Sequence, residues 1–84
     1  MRKEKRMRSP ERREEIKKLR SGAGFYHPRE MVDELEKHGV VITRQTWSNK
    51  ERGKTQFNIV ELQVLADIFN MPLQRAIEFF NAYD

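Results

Sequence analysis

Apolar residues recur at intervals of three and four along four stretches of the chain, and these, with a fifth and more polar one, are bounded by residues that start or stop helices. Ser9-Pro10 reads as a cap followed by proline at the first helical position, opening a helix from Pro10 to Arg20 that turns Ile16 and Leu19 inward. Ser21-Gly22-Ala23-Gly24 ends it. His27-Pro28 repeats the signal for a second helix, Pro28 to His38, with Met31, Val32 and Leu35 as its stripe and Gly39 as its stop. Val40-Val41-Ile42 is expected to cross the interior as an extended connector. Thr43 caps a third helix that Gly53 closes. Asn58, with Glu61 three residues on, forms a capping-box variant for a fourth helix, Ile59 to Phe69. Its face of Ile59, Leu62, Leu65, Ala66 and Phe69 is widened by Val60, Val64 and Ile68, which predicts a central helix surrounded by protein. Pro72 starts a fifth, with Leu73, Ala76, Ile77 and Phe80 on one side and Phe79 on another. The expectation is an all-α domain of five short helices over residues 10–84, preceded by an arm at residues 1–9.

The third helix does not fit a purely structural role. In ITRQTWSNKERGK, residues 42–54, the only large apolar side chain within the helix is Trp47, read as its anchor to the core. From Thr43 to Lys50 there are eight residues without a carboxylate, in a chain that has 13 Asp and Glu. Two helices joined near a glycine, the second polar outward, is the plan of a helix-turn-helix. Such a second helix enters the major groove of DNA, where base edges display distinct donors and acceptors. Arg44 can pair with guanine O6 and N7. Gln45 or Asn49 can pair with adenine N6 and N7. Thr43, Thr46 and Ser48 can bond phosphates or meet a thymine methyl.

Charge sharpens this picture. Residues 1–20 hold ten Lys and Arg against four acids, residues 21–57 six against five, and residues 58–84 one against four. The chain is basic at its start and mildly acidic at its end, which implies an anionic partner for one side only. Arg2, Lys3, Lys5, Arg6 and Arg8 make the arm a polycation without apolar periodicity, expected to be flexible and suited to wrapping a duplex or entering a minor groove.

At these residues the sequence resembles the Cro/repressor (XRE-like) helix-turn-helix family. Thr43, Thr46, Trp47 and Glu51-Arg52-Gly53-Lys54 match its recognition-helix signature. Leu19-Arg20 resembles the family's first helix, Leu65-Ala66 its fourth-helix pair and Pro72-Leu73 the start of its fifth, so the resemblance spans about residues 14–80. It implies a lambda-repressor-like fold. It also implies base contacts from Arg44, Gln45, Asn49 and Thr46, and backbone contacts from Thr43, Ser48, Lys54, Thr55 and Gln56. A homodimer on a two-fold operator follows, with Phe79 and Tyr83 as the dimer or partner contact. Three departures accompany the match. Pro28 stands where the family has a phosphate-bonding Gln, the connector from Leu35 to Ile42 is longer than the compact form, and Lys50 replaces a usual apolar residue. Trp47 is expected to cover that gap while Lys50 snorkels outward.

The functional expectation is therefore a sequence-specific double-stranded DNA-binding regulator of a prokaryote or phage, repressor-like, acting by occupancy in the cytoplasm and associated with the nucleoid. The alternative is an antitoxin-like or protein-interaction module that binds a protein partner through Phe79, Phe80 and Tyr83. Catalysis is not expected. Glu14, Glu15 and Glu51 form no paired-carboxylate geometry, and Gly22-Ala23-Gly24 is too short for a phosphate loop and precedes no strand. Without cysteine, and with only His27 and His38, no metal site or cofactor is expected, and no small-molecule ligand. The longest apolar run, Gly39 to Ile42, is far short of a membrane span, so no membrane partner is expected.

Overall fold

A computed structural model describes residues 10–81. Within that span the chain forms α1 (Pro10–Gly22), α2 (Pro28–Lys37), α3 (Arg44–Glu51), α4 (Ile59–Ile68) and α5 (Leu73–Phe80), with no strand among the described residues. The all-α expectation and the five-helix order hold. None of these helices is long and apolar enough to cross a membrane. The cap at Ser9, the cationic arm residues and Tyr83 lie outside the described residues.

Local signals place the helix ends within two residues of expectation. Thr43 Oγ1 accepts the Thr46 backbone N–H at 3.0 Å, which satisfies a donor that has no partner inside the helix. Asn58 Oδ1 accepts from the Glu61 N–H at 2.8 Å, and Glu61 Oε1 accepts from the Asn58 N–H at 2.8 Å, completing the capping box. At the start of α2 the bond comes from the other direction, as Glu30 Oε1 accepts the His27 N–H at 2.9 Å. The C-terminal stops share one motif. Past α2, Gly39 takes φ +91° and its N–H reaches Glu36 O at 2.9 Å, while the Val40 N–H reaches Leu35 O at 2.9 Å. The same pair of bonds closes α1, α3 and α4, with Asn70 in the left-handed position after α4. In α1 this motif sits two residues later than the sequence implies, so the helix runs through Ser21 and Gly22.

The core is built around Ile16, Met31, Leu35, Trp47, Leu65, Ala76 and Phe80, all nearly inaccessible to water. Aromatic rings run across it in a chain: Trp47 to Phe57 at 5.5 Å, Phe57 to Phe80 at 5.4 Å, Phe80 to Phe69 at 6.0 Å, and Phe69 to Phe25 at 6.3 Å. Offset and edge-on pairs of this kind add to the stabilisation from burial itself. Phe57 ties the α3–α4 connector to this series, and the Asn81 amide clamps its backbone. The Phe57 N–H donates to Asn81 Oδ1 at 3.0 Å, and Asn81 Nδ2 donates to Phe57 O at 3.1 Å. In this framework α4 packs on α5, while α3 packs on both α1 and α2.

Two expectations about burial change. Val40 is buried and Ile42 partly so, but Val41 between them is 77% exposed. Extended backbone alternates its side chains, so the connector contributes two residues to the interior and not three. In α4, Ile59 and Val60 are 52% and 55% exposed, and protein cover begins only at Glu61 and Leu62. The helix is central from its second turn onward and open at its first.

Candidate nucleic-acid interface

In α3, Trp47, Lys50 and Glu51 share one face, Gln45 and Asn49 lie opposite it as a 3.6-residue period requires, and Arg44 and Ser48 flank it, Arg44 exposed in the first turn. The first face fixes the helix. The Trp47 indole is fully buried, and its Nε1–H donates to Glu51 Oε1 at 2.8 Å. The other Glu51 oxygen lies 3.4 Å from Arg20 Nη2. Arg20, almost completely buried in α1, also donates through Nη1 to Phe25 O at 3.0 Å and Tyr26 O at 2.9 Å. One carboxylate thus joins the α3 anchor to α1, and one guanidinium joins both to the α1–α2 turn. A buried arginine is tolerated because its charge is paired and its donors meet carbonyls.

Lys50 does not snorkel outward. Its Nζ lies 3.0 Å from Glu61 Oε1 and donates to Gln56 O at 2.8 Å, with the Phe57 ring centroid 5.7 Å away. The two side chains are 11% and 8% exposed. The site that the family pattern fills with an apolar residue holds an ion pair here, and α4 supplies the counter-charge that burial demands. This also explains why Glu61 is buried: the same oxygen closes the α4 capping box.

The opposite face carries the nominated side chains. Arg44 and Gln45 are exposed; Thr46, Ser48 and Asn49 are half-buried. Gln45 Nε2 donates to Asn49 Oδ1 at 3.1 Å, and Arg52 Nη2 donates to the same oxygen at 3.2 Å. Asn49 therefore has its acceptor occupied twice, leaving its amide donors as its chemistry toward a ligand. Thr43 Oγ1 accepts in the cap and donates to Thr46 Oγ1 at 3.0 Å, so Thr46 is the hydroxyl of this pair with a proton to give. Lys54, Thr55 and Gln56 are exposed on the connector after α3, although the Gln56 carbonyl is taken by Lys50.

Two grooves flank this face, and both are lined by His27, Pro28 and Ser48. One lies against the start of α2 and adds Arg29, Glu30, Asp33, Thr43, Arg44 and Gln45. The other lies against α1 and adds Arg13, Glu14, Lys17, Arg20, Tyr26, Glu51 and Arg52. Sequence reasoning did not single out Arg13, Lys17, Tyr26 or Arg29. For Arg29 a local signal existed: it follows Pro28 in the first turn of α2, beside the position where the family has its Gln. For Arg13 and Lys17 the only signal was their spacing of four on one face of α1.

No family model, curated protein or solved structure matches the chain.

The aromatic residues nominated for partner contact separate. Phe80 is a core residue, 1% exposed. Phe79 is half-buried, edge-on to Phe80 at 5.1 Å, with the Arg12 guanidinium 5.8 Å from its ring centroid. Of the proposed C-terminal surface, Phe79 is what remains among the described residues.

Proposed function

We propose that the protein binds double-stranded DNA sequence-specifically, with α2 and α3 acting as a helix-turn-helix and α3 lying in the major groove. The observation that carries this reading is the division of α3 into two faces. Trp47, Lys50 and Glu51 hold it to three other parts of the fold, while Arg44, Gln45, Ser48 and Asn49 face outward without a carboxylate among them. Rigid positioning from behind and an uncharged-to-cationic polar front are what base readout requires.

Within this reading Arg44 is the guanine reader, and Gln45 is the amide nearest the helix start. Asn49 acts as a donor and as the brace for Gln45. Thr46 joins the base contacts through its hydroxyl, and Thr43, Ser48, Lys54, Thr55 and Gln56, joined by Arg29, serve the sugar-phosphate backbone. The cationic arm adds sequence-independent affinity. The resemblance to Cro/repressor proteins supports a repressor-like regulator of a prokaryote or phage, a dimer on a two-fold operator with Phe79 and Tyr83 at its seam.

Selection from random duplexes, followed by affinity measurements on selected and random duplex at two salt concentrations, tests the proposal. Each base-reading side chain is expected to contribute about 1–3 kcal/mol of discrimination. Equal affinity for both duplexes, with Arg44→Ala and Gln45→Ala silent, would remove it.

A further inference from the structure

The groove between α1 and α3 has a feature that nothing in base readout explains. Three buried side-chain nitrogens among the described residues lack a hydrogen-bond partner: Nε of Arg13, of Arg20 and of Arg52. All three residues line this groove, together with Lys17 and Ser48. A buried donor without an acceptor is costly, and a guanidinium more so than an amide. Arg20 is otherwise paired with Glu51 and Arg52 already donates to Asn49 Oδ1, yet together with Arg13 they bring a surplus of guanidinium donors to one groove, more than the protein itself satisfies.

The carboxylates present do not cancel it. Four permanent cations line the groove, Arg13, Lys17, Arg20 and Arg52, against two acids, Glu14 and Glu51. Glu51 is already shared between Trp47 and Arg20. The α2–α3 groove differs: there Arg29 and Arg44 are balanced by Glu30 and Asp33. The excess of charge belongs to the α1 side alone.

We infer that the α1–α3 groove is a binding site for a phosphate group, held by Arg13, Lys17 and Arg52 over a floor made by Arg20. A phosphate brings the negative charge that the groove lacks, and guanidinium forks and an ammonium match its oxygens; the three Nε atoms, closed to solvent, are not themselves its donors. The open volume, about 530 Å³, admits it with the group that carries it. Ser48 lines both grooves, so a phosphate here sits beside the outward face of α3. Its natural source is then the backbone of the duplex read by α3, and that source rests on the function proposed above. The site itself does not.

Two measurements on the full chain test it. The first titrates inorganic phosphate, against chloride at matched ionic strength, into the wild type while the arginine Nε–H signals are followed by NMR. Saturable movement of the Arg13 and Arg52 signals is expected, with the Arg52 signal no longer moving in Arg13→Gln/Lys17→Gln; if that pair disturbs folding, the second variant is Arg52→Gln, in which the Arg13 signal should stay still. The other measurement is duplex affinity against salt. If the source is DNA, neutralising one phosphate contact lowers affinity about tenfold at 0.1 M salt and flattens the log–log slope by about 0.9. That loss falls equally on selected and random duplex. Phosphate-induced shifts with unchanged duplex binding would keep the site and assign it a free phosphate. If the wild type binds no duplex, the reading of α3 falls and the phosphate titration alone decides the groove. Immobile arginine signals, with affinity and slope unchanged in both variants, overturn the inference.

Discussion

Lys50 Nζ sits 3.0 Å from Oε1 of Glu61, and through that contact the helix with the polar outward face is bolted to the first turn of α4. Both side chains are almost withdrawn from water, so each charge has the other as its close counter-charge. Removing one partner strands the other. Lys50→Met is expected to cost about 3 kcal/mol in urea unfolding, whereas Lys50→Met/Glu61→Gln should recover much of that loss. Additive losses in the two single variants and the double would mean that the pair is not coupled.

Glu51 performs a second attachment at the other neighbour. Glu51→Ala leaves the Arg20 guanidinium without its counter-charge and Trp47 Nε1 without its acceptor, and should destabilise by about 3 kcal/mol. Glu51→Gln keeps an acceptor for the indole and is expected to be milder. Trp47 is the chain's single tryptophan, so its fluorescence during unfolding reports α3 directly. An Ala variant as stable as the wild type would show that this carboxylate does not hold the helix.

The Asn81 amide fits the Phe57 backbone with one donor and one acceptor. Replacing it by Leu removes both bonds from a partly buried N–H and C=O, at about 1–3 kcal/mol. Hydrogen exchange should locate the effect: the Phe57 amide is expected to lose protection before the helices do. Unchanged exchange there would contradict the clamp.

At the start of α4 the opposite outcome is expected. Ile59→Gln/Val60→Gln removes two aliphatic side chains that are more than half exposed, so the change in stability should stay within about 0.5 kcal/mol per site. A loss of several kcal/mol would return these residues to the core where periodicity alone put them.

For DNA, the hydrogen bonds on α3 rank the readers. Arg44 is exposed and Asn49 is engaged by Gln45 and Arg52, so Arg44→Ala should reduce discrimination between selected and random duplex more than Asn49→Ala. The expected loss at Arg44 is about 1–3 kcal/mol. The reverse order would mean that Asn49 exchanges its internal bonds for a base on binding.

What the sequence determined by itself is local. The caps at Thr43 and Asn58, the stops at Gly39 and Gly53, and the stripe of Met31, Val32 and Leu35 were legible because each depends on residues within about four positions, where the helical period dictates geometry. The outward set of α3 was legible in part for the same reason: once Trp47 faces inward, the period turns Gln45 and Asn49 outward, whereas the exposure of Arg44, three residues before Trp47, is not dictated by the period. Which charges meet was decided only by the tertiary structure. Seventeen cations and thirteen carboxylates allow many pairings. Arg20 with Glu51, and Lys50 with Glu61, are selected by how α1, α3 and α4 pack and by the penalty for leaving a buried charge alone. The same packing exposes Val41, Ile59 and Val60, and gathers Arg13, Lys17, Arg20 and Arg52 around one groove, because no period along the chain records which helix faces which.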